Sequence, residues 1–224
     1  LEDPNVAGFL VEPIQGEGGV LPVADGFLAA LRERCDRHGS LLVFDEIQCG
    51  VGRTGKLWSH QWDDVQPDVM TLAKGLGCGF PIGAMLVGDK AADTLQFGSH
   101  GSTFGGNPLA AAVARVALRK LSSPELLTHV SAQAMLLQLG LERIGNALGV
   151  FSEVRGRGLM LGAVLTPGFA DRASAALDFA AGEGLLLLQA GPDVLRFVPA
   201  LNIPVADIDD GLDRLERALK RLVA

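Results

Sequence analysis

Two charged side chains come directly after apolar segments of this sequence. Lys74 follows the run at 69–73 and precedes a glycine-rich stretch, and Asp45 follows the run at 41–44. A lysine that leaves a buried strand is costly unless it is paired or used chemically. In a partly dry site it is a competent amine nucleophile and proton carrier. The alternatives are a lysine whose ammonium group reaches the surface, and an aspartate that caps a helix or forms an ion pair.

The position of Asp45 favours a chemical role. Open α/β sheets bind their ligands beyond the carboxyl ends of parallel strands, so Asp45 and Lys74 can reach one crevice. A pyridine-ring cofactor needs this pair of groups, because the lysine forms an imine with it and the carboxylate keeps its ring nitrogen protonated. The sequence therefore predicts a site for a cofactor of this kind.

The elements that must position these residues alternate between strand and helix in the first half of the chain. Buried strands are predicted at 6–11, 41–44, 69–73 and 82–87. A helix is predicted over 24–38, between the first two strands, with Asp25 as its N-cap and Gly39 as its end. An Ala-rich helix capped by Asn107 is predicted over 108–121, after the last strand. This order predicts an α/β fold with a mainly parallel sheet covered by helices.

The pattern changes after residues 122–124. A long helix is predicted from 125 to about 148, then strands at 150–154 and 159–165, with Arg155 and Arg157 in a solvent-facing turn. The remaining predicted elements are a helix at 169–182, apolar strands at 185–188 and 194–198, and an amphipathic helix at 207–223. A small, antiparallel sheet with helices indicates an α+β domain. We therefore expect two domains, residues 1–121 and 122–224.

Composition narrows the class of protein. The 224 residues carry a net charge of −7 and are 48% hydrophobic, which suits a soluble globular protein and argues against a nucleic-acid footprint. No apolar run has the length of a membrane span. Three cysteines without a C-x-x-C pair and four scattered histidines predict no disulfide framework and no metal site, so a cytoplasmic location is expected.

Five segments of the chain resemble the class III pyridoxal-phosphate-dependent aminotransferases. They occur in the order found in that family and are residues 11–19 (VEPIQGEGG), 44–48 (FDEIQ), 52–55 (GRTG), 72–75 (LAKG) and 101–108 (GSTFGGNP). The resemblance covers nearly the whole chain and is sharpest from about residue 6 to 120. It implies fold type I of the pyridoxal-phosphate (PLP) enzymes, with an incomplete large domain here and a small C-terminal domain.

The resemblance also implies roles for individual residues. Lys74 would form the Schiff base with PLP and move the proton between substrate and cofactor. Asp45 would pair with the pyridinium nitrogen, and Gln48 would hydrogen-bond near the phenolic oxygen. Thr103, with Ser102 as a second candidate, would donate to the cofactor phosphate on the neighbouring subunit. A homodimer with active sites at its interface follows from that last role.

Glu17 and Arg196 form a further pair by resemblance, and would bind substrate. In the family such a pair is thought to act as a gate between two half-reactions. Paired, it tolerates a side-chain amine donor, whereas an arginine released from its glutamate is a bidentate clamp for the carboxylate of 2-oxoglutarate or glutamate. The alternative for Arg196 is a surface arginine at the edge of a strand.

Within the family, three segments are most similar to the enzymes that act on N-acetylornithine: residues 48–58, 79–85 and 100–107. The implied reaction is amino transfer between N-acetylornithine, or a similar ω-amino donor, and 2-oxoglutarate in arginine biosynthesis. Ornithine and 4-aminobutyrate aminotransferases and aminomutases of the same fold are the alternatives. Because family members are roughly twice as long, an inactive fragment of such an enzyme is a further alternative.

Overall fold

The computed structural model describes residue 3 and residues 5–224. These residues form two compact units. The first contains the described residues up to Pro13 together with Val23–Gly52 and Lys56–Ser123, and the second contains Ile14–Pro22, Arg53–Gly55 and Pro124–Ala224. Two short segments from the first half of the sequence thus belong to the second unit, a division that a single cut between residues 121 and 122 does not describe.

Ten strands and five α-helices make up these units. The strands are β1 (Gly8–Val11), β2 (Ile14–Gln15), β3 (Leu21–Pro22), β4 (Leu41–Asp45), β5 (Val69–Leu72), β6 (Ala84–Val87), β7 (Phe151–Arg157), β8 (Met160–Leu165), β9 (Leu188–Ala190) and β10 (Val194–Phe197). The helices are α1 (Phe27–His38), α2 (Pro108–Leu121), α3 (Pro124–Leu148), α4 (Ala173–Gly182) and α5 (Val205–Val223).

The first unit is built on a four-stranded sheet in the order β1-β4-β5-β6. Strand β4 pairs in parallel with β1 and with β5, and β6 pairs antiparallel to β5. The prediction of a mainly parallel sheet is confirmed. The predicted strands are also found, although β1 and β6 each begin two residues later than the apolar pattern indicated.

Helix α1 covers one side of this unit because its apolar residues recur on one face. Leu28, Leu31 and Cys35 are buried, and they pack with Leu42 and Phe44 of β4. The helix ends at Gly39 in the left-handed conformation, as predicted. The predicted N-cap at Asp25 is wrong: Gly26 occupies that position with φ 77°, because a tight turn joins the amide of Phe27 to the carbonyl of Ala24.

Helix α2 begins where the sequence predicted. The Asn107 side chain accepts a hydrogen bond from the amide of Ala110 at 2.9 Å, and Pro108 occupies the first helical turn. Its small buried face brings Ala114 against Met70, Leu72 and Leu76, next to the end of β5. This packing fixes the segment that carries Lys74.

The second unit contains a four-stranded antiparallel sheet in the order β7-β8-β10-β9, and β2 and β3 form a separate hairpin. Its core joins this sheet to helices α3, α4 and α5. Strand β7 continues through Gly156 to Arg157, so the predicted turn there is wrong. Glycine 156 permits the continuation because it adopts φ 123° while pairing with Leu161.

Residues 185–188 are not the buried strand that their sequence predicted. Leu185 and Leu187 pack against the core, whereas 89% of the Leu186 surface and 48% of the Leu188 surface are exposed. Burial alternates along this extended segment, because only every second side chain of an extended edge segment faces the core. The paired strand begins only at Leu188.

The composition also raised the questions of membrane spans, metal sites and disulfides. Among the described residues, no helix combines the length and apolar character that crossing a membrane requires. In the same part of the chain, no cluster of three or more His, Cys, Asp or Glu residues could hold a metal ion. Within the described residues, Cys35, Cys49 and Cys78 form no disulfide, and Cys78 is the exposed one of the three.

Candidate active site

Asp45 and Lys74 lie at one edge of the first unit's sheet. Asp45 is the last residue of β4 and stands opposite Thr71 of the parallel neighbour β5. Strand β5 ends at Leu72, and Lys74 begins a short 3-10 turn immediately beyond it. Because both strands run in the same direction, their carboxyl ends present these two side chains at the same edge, as the strand pattern predicted.

Lys74 adopts an unusual backbone conformation. Its φ is +40°, in the left-handed region that residues other than glycine rarely adopt. This conformation costs about 1–3 kcal/mol. The next residue, Gly75, lies so close to Val51 that an added Cβ would be 3.3 Å from the Val51 Cβ. The lysine side chain is exposed and has no ion-pair partner among residues 3 and 5–224. Such strain is typical of functional positions.

Asp45 and Thr71 supply polar groups beside that lysine. The Oδ1 atom of Asp45 accepts a hydrogen bond from the amide of Ile47 at 2.9 Å, which orients the half-buried carboxylate. The Thr71 hydroxyl is buried and has no hydrogen-bond partner within the described part of the chain. A buried hydroxyl without a partner is uncommon and favours a polar group bound at this edge. An amine, a carboxylate and an unsatisfied hydroxyl together fit PLP.

Glu46 anchors the end of β4, a role that was not predicted from the sequence. Its carboxylate is fully buried and accepts hydrogen bonds from the amides of Ser59 and His60 at 2.7 and 2.8 Å. The His60 Nδ1 atom lies 2.7 Å from the same carboxylate. Gly50 must be a glycine here, since an added Cβ would be 2.7 Å from the carbonyl oxygen of Glu46. This network holds the chain directly after Asp45.

The remaining cofactor candidates lie on turns and loops. Gln48 is half-buried in the turn after β4, close in sequence to Asp45. Ser102 and Thr103 are both exposed in the segment that precedes Asn107, the cap of α2. In the described residues no hydrogen bond joins Ser102 or Thr103 to Asp45 or Lys74. One copy of this unit places Asp45 and Lys74 at the same edge of its sheet and leaves Thr103 exposed.

The second unit brings Glu17 and Arg196 together. The Nη1 atom of Arg196 lies 2.6 Å from Oε1 of Glu17. Arg196 belongs to β10, which lies between β8 and β9, and only 9% of its side chain is exposed, against 71% for Glu17. The alternative of a surface arginine at a strand edge is therefore wrong. A buried guanidinium paired with one accessible carboxylate is suited to exchanging that carboxylate for another.

Two arginines that were not predicted to lie near this pair shape its surroundings. Arg155 donates from Nε and Nη2 to the carbonyl of Gly19 at 3.1 and 2.9 Å, so it is not solvent-facing as predicted. Arg53 donates to the carbonyls of Leu159 and Pro199 at 3.0 and 2.6 Å, and burial lowers its pKa to about 10. The sequence of β7 contained no signal for this contact of Arg155, because Gly156 resembles a turn residue.

Comparison with known proteins gives one consistent family. The family model described as aminotransferase class-III matches residues 1–219. The acetylornithine aminotransferase of Xanthomonas campestris pv. campestris is 63% identical over 220 residues, which are 98% of this chain and 54% of that protein. The crystal structure of N-acetylornithine aminotransferase from Stenotrophomonas maltophilia K279a is 60% identical, with a TM-score of 0.92 over 98% of this chain and 58% of that one.

A more distant solved structure has the same fold. The ornithine aminotransferase of Toxoplasma gondii, with partial occupancy of PLP at its active site, is 36% identical, with a TM-score of 0.90 over 97% of this chain and 52% of that one. This chain spans about half the length of the curated relatives it matches. Its fold is that of the PLP-dependent class III enzymes, fold type I. The chain belongs to the class III aminotransferase family.

Proposed function

We propose that the protein transfers an amino group between N-acetylornithine, or a similar ω-amino donor, and 2-oxoglutarate with PLP as cofactor. The observation that carries the proposal is the placement of Asp45 and Lys74 at the carboxyl ends of neighbouring parallel strands, in a class III chain. The 63% identity to an acetylornithine aminotransferase supports the donor and a role in arginine biosynthesis. Cysteines without disulfides in the described chain fit a cytoplasmic enzyme.

Each cofactor residue has a defined task in this proposal. PLP, when bound, withdraws electrons from the substrate Cα and so stabilises the negative charge that develops there. Lys74 holds the cofactor through its side-chain nitrogen and carries a proton to and from the substrate Cα. The Asp45 carboxylate, oriented by the amide of Ile47, keeps the ring nitrogen protonated. Gln48 hydrogen-bonds near the phenolic oxygen from the following turn.

The phosphate contacts involve a second copy of the chain in our proposal. Ser102 and Thr103 lie in an exposed segment beside Phe104, of which 81% is exposed. An aromatic side chain this exposed is suited to burial in an interface. We assign the Thr103 hydroxyl, assisted by Ser102, to the cofactor phosphate of the neighbouring subunit in a homodimer. In this proposal residues 122–224 are the small C-terminal α+β domain and residues 1–121 are part of the large one, with 14–22 and 53–55 packed in the second unit.

Glu17 and Arg196 would serve the two half-reactions alternately. While Glu17 neutralises Arg196, the buried guanidinium offers no net charge and the amine donor is accepted. When a substrate carboxylate replaces Glu17, the same guanidinium holds it through charge-assisted hydrogen bonds. The 71% exposure of the Glu17 side chain supports this exchange, because fixing an exposed side chain costs conformational entropy and weakens the pair.

A substrate panel tests the proposed reaction. Purified protein supplied with PLP is assayed with N-acetylornithine, ornithine and 4-aminobutyrate, each with and without 2-oxoglutarate. We expect N-acetylornithine to give the highest kcat/KM and every reaction to require the 2-oxo acid. A preference for ornithine or 4-aminobutyrate would move the assignment to those enzymes. Turnover without any 2-oxo acid would indicate an aminomutase, and no turnover with any donor would support the inactive fragment.

A further inference from the structure

Three residues form a row across the sheet of the second unit. Gly162 of β8 pairs with Arg155 of β7 on one side and with Arg196 of β10 on the other. Residues directly opposite each other on neighbouring strands point to the same face of a sheet. Arg155 and Arg196 therefore flank Gly162 on one face, and the missing side chain of Gly162 leaves a space between them.

The loop that carries Glu17 fills that space. Val20 lies over Gly162, where an added Cβ would be 2.9 Å from the Val20 Cβ. The amide of Gly191 donates to the carbonyl of Glu17 at 2.9 Å. Arg155 holds the carbonyl of Gly19 through two N–H groups, at 3.1 and 2.9 Å. The backbone is thus held at Glu17 by the turn after β9 and at Gly19 by Arg155 of β7.

The two arginines hold different parts of this loop. Arg196 contacts the Glu17 carboxylate, whereas Arg155 contacts only main chain in the loop and pairs with Glu153 at 3.0 Å. An ion pair whose carboxylate is 71% exposed normally gains little, because fixing the side chain costs conformational entropy. Fixing the backbone of the loop beforehand reduces that cost. Arg155 thereby strengthens an ion pair that it does not touch.

We infer that Arg155 is a positioning residue that sets how readily Glu17 gives up Arg196 to a substrate carboxylate. The inference rests on the proposed function, in which this exchange separates the two half-reactions. Loosening the loop weakens the hold of Glu17 on Arg196, so dicarboxylates bind more tightly. The amine donor then meets an uncompensated guanidinium and binds more weakly. The two substrates therefore respond in opposite directions, which general damage to the fold would not produce.

The test compares Arg155→Met with wild type in the holoenzyme. We expect the ratio of KM for the amine donor to KM for 2-oxoglutarate to rise about tenfold, the size expected when one charge-assisted hydrogen bond is lost. Glutarate, an unreactive dicarboxylate, should bind more tightly by calorimetry, which is a readout independent of turnover. In Gly162→Ala the new Cβ displaces Val20 and the loop. This variant should therefore also raise the KM ratio and bind glutarate more tightly, as Arg155→Met does.

Two controls separate the possible outcomes. Arg143→Met removes an arginine paired with Glu216 elsewhere in the same unit, and Glu153→Gln removes the ionic partner of Arg155 without its loop contact. Both should leave the ratio unchanged. Glu17→Gln alone should raise it, and adding Arg155→Met to Glu17→Gln should change it no further.

Failure of the inference and failure of the gate give different results. If Glu17→Gln raises the ratio but Arg155→Met does not, or if Arg155→Met weakens both substrates alike, Arg155 does not set the exchange. If Glu17→Gln leaves both KM values unchanged, the proposed gate fails and the inference fails with it. An equal effect of Arg155→Met with and without Glu17 would also overturn the inference, because Arg155 would then act by another route.

Discussion

The residues at the sheet edge combine groups that a folded protein would otherwise avoid. Lys74 has φ +40°, the hydroxyl of Thr71 is buried without a partner in the described chain, and the nearby Asp45 carboxylate is oriented by a main-chain amide. The backbone conformation of Lys74 and the unpaired hydroxyl of Thr71 each cost free energy in isolation. Binding of one cofactor, as proposed above, would account for their coincidence at the carboxyl ends of β4 and β5. The surrounding structure must therefore hold these residues firmly, and Glu46 is the main such support.

Replacing Glu46 with alanine should destabilise the protein strongly. The change removes a buried acceptor and leaves the amides of Ser59 and His60 without a partner, at a cost of about 3 kcal/mol. Urea-induced unfolding measures the difference. Glu33→Ala is the control, since its exposed pair with Arg37 should contribute less than about 1 kcal/mol. Similar losses in the two variants would show that the Glu46 network does not support β4.

At the scale of elements, Asp68 joins helix α1 to strand β4. Its Oδ2 atom accepts from the amide of Leu42 at 2.7 Å and from Nη1 of Arg32 at 3.0 Å, with the Lys90 ammonium 3.7 Å away. Burial by itself raises the pKa of Asp68, but these hydrogen bonds and the nearby positive charges outweigh it and lower the pKa. Folding is therefore linked to the ionised carboxylate.

The lowered pKa of Asp68 predicts a loss of stability in acid. The pKa of an aspartate in an unfolded chain is about 3.9. The contribution of Asp68 to stability is therefore complete above that pH and disappears as pH falls through the lower pKa of the folded state. Asp68→Asn should therefore be less stable than wild type at neutral pH and lose less of its stability between about pH 5 and pH 2. The free energy of unfolding measured across this range checks both points.

Equal pH dependence in the two proteins would contradict the linkage. The control is Asp36→Asn, which removes an exposed partner of Arg32.

The elements also show what the sequence could and could not predict. Helix α2 was predicted correctly because its cap, its proline and its buried alanines agree. Strand β7 was cut short because Gly156 resembles a turn residue, although the strand passes through it with φ 123°. Pairing across the sheet decided that conformation, and pairing is not visible in one strand. For the same reason the row of Arg155, Gly162 and Arg196 could not be predicted.

At the scale of the whole molecule, the proposal divides the work between copies of the chain. Lys74 follows β5 in the packed part of the first unit, whereas Thr103 lies on an exposed segment of that unit. If Thr103 serves the neighbouring subunit, each active site needs an intact Lys74 from one chain and an intact Thr103 from the other. In a homodimer of this kind, two variants that are defective at different residues of the site can complement each other.

Mixing two defective variants should restore activity. Lys74→Ala abolishes its own site and Thr103→Ala weakens cofactor binding in its partner's site. A mixed dimer therefore contains one site with neither defect, and random reassociation should give about a quarter of the wild-type sites at limiting PLP. Activity is measured after the variants have exchanged subunits. Activity equal to the mean of the two unmixed variants would contradict a shared site.

The position of the covalent bond to the cofactor tests the central assignment most directly. The protein is saturated with PLP, reduced with borohydride to make the attachment permanent, and digested for peptide mass spectrometry, with Lys74→Ala treated in parallel. We expect one modified peptide, carrying the cofactor on Lys74, and no specific modification in the variant. Attachment at Lys56, Lys90 or Lys120, or the same modification in Lys74→Ala, would contradict it.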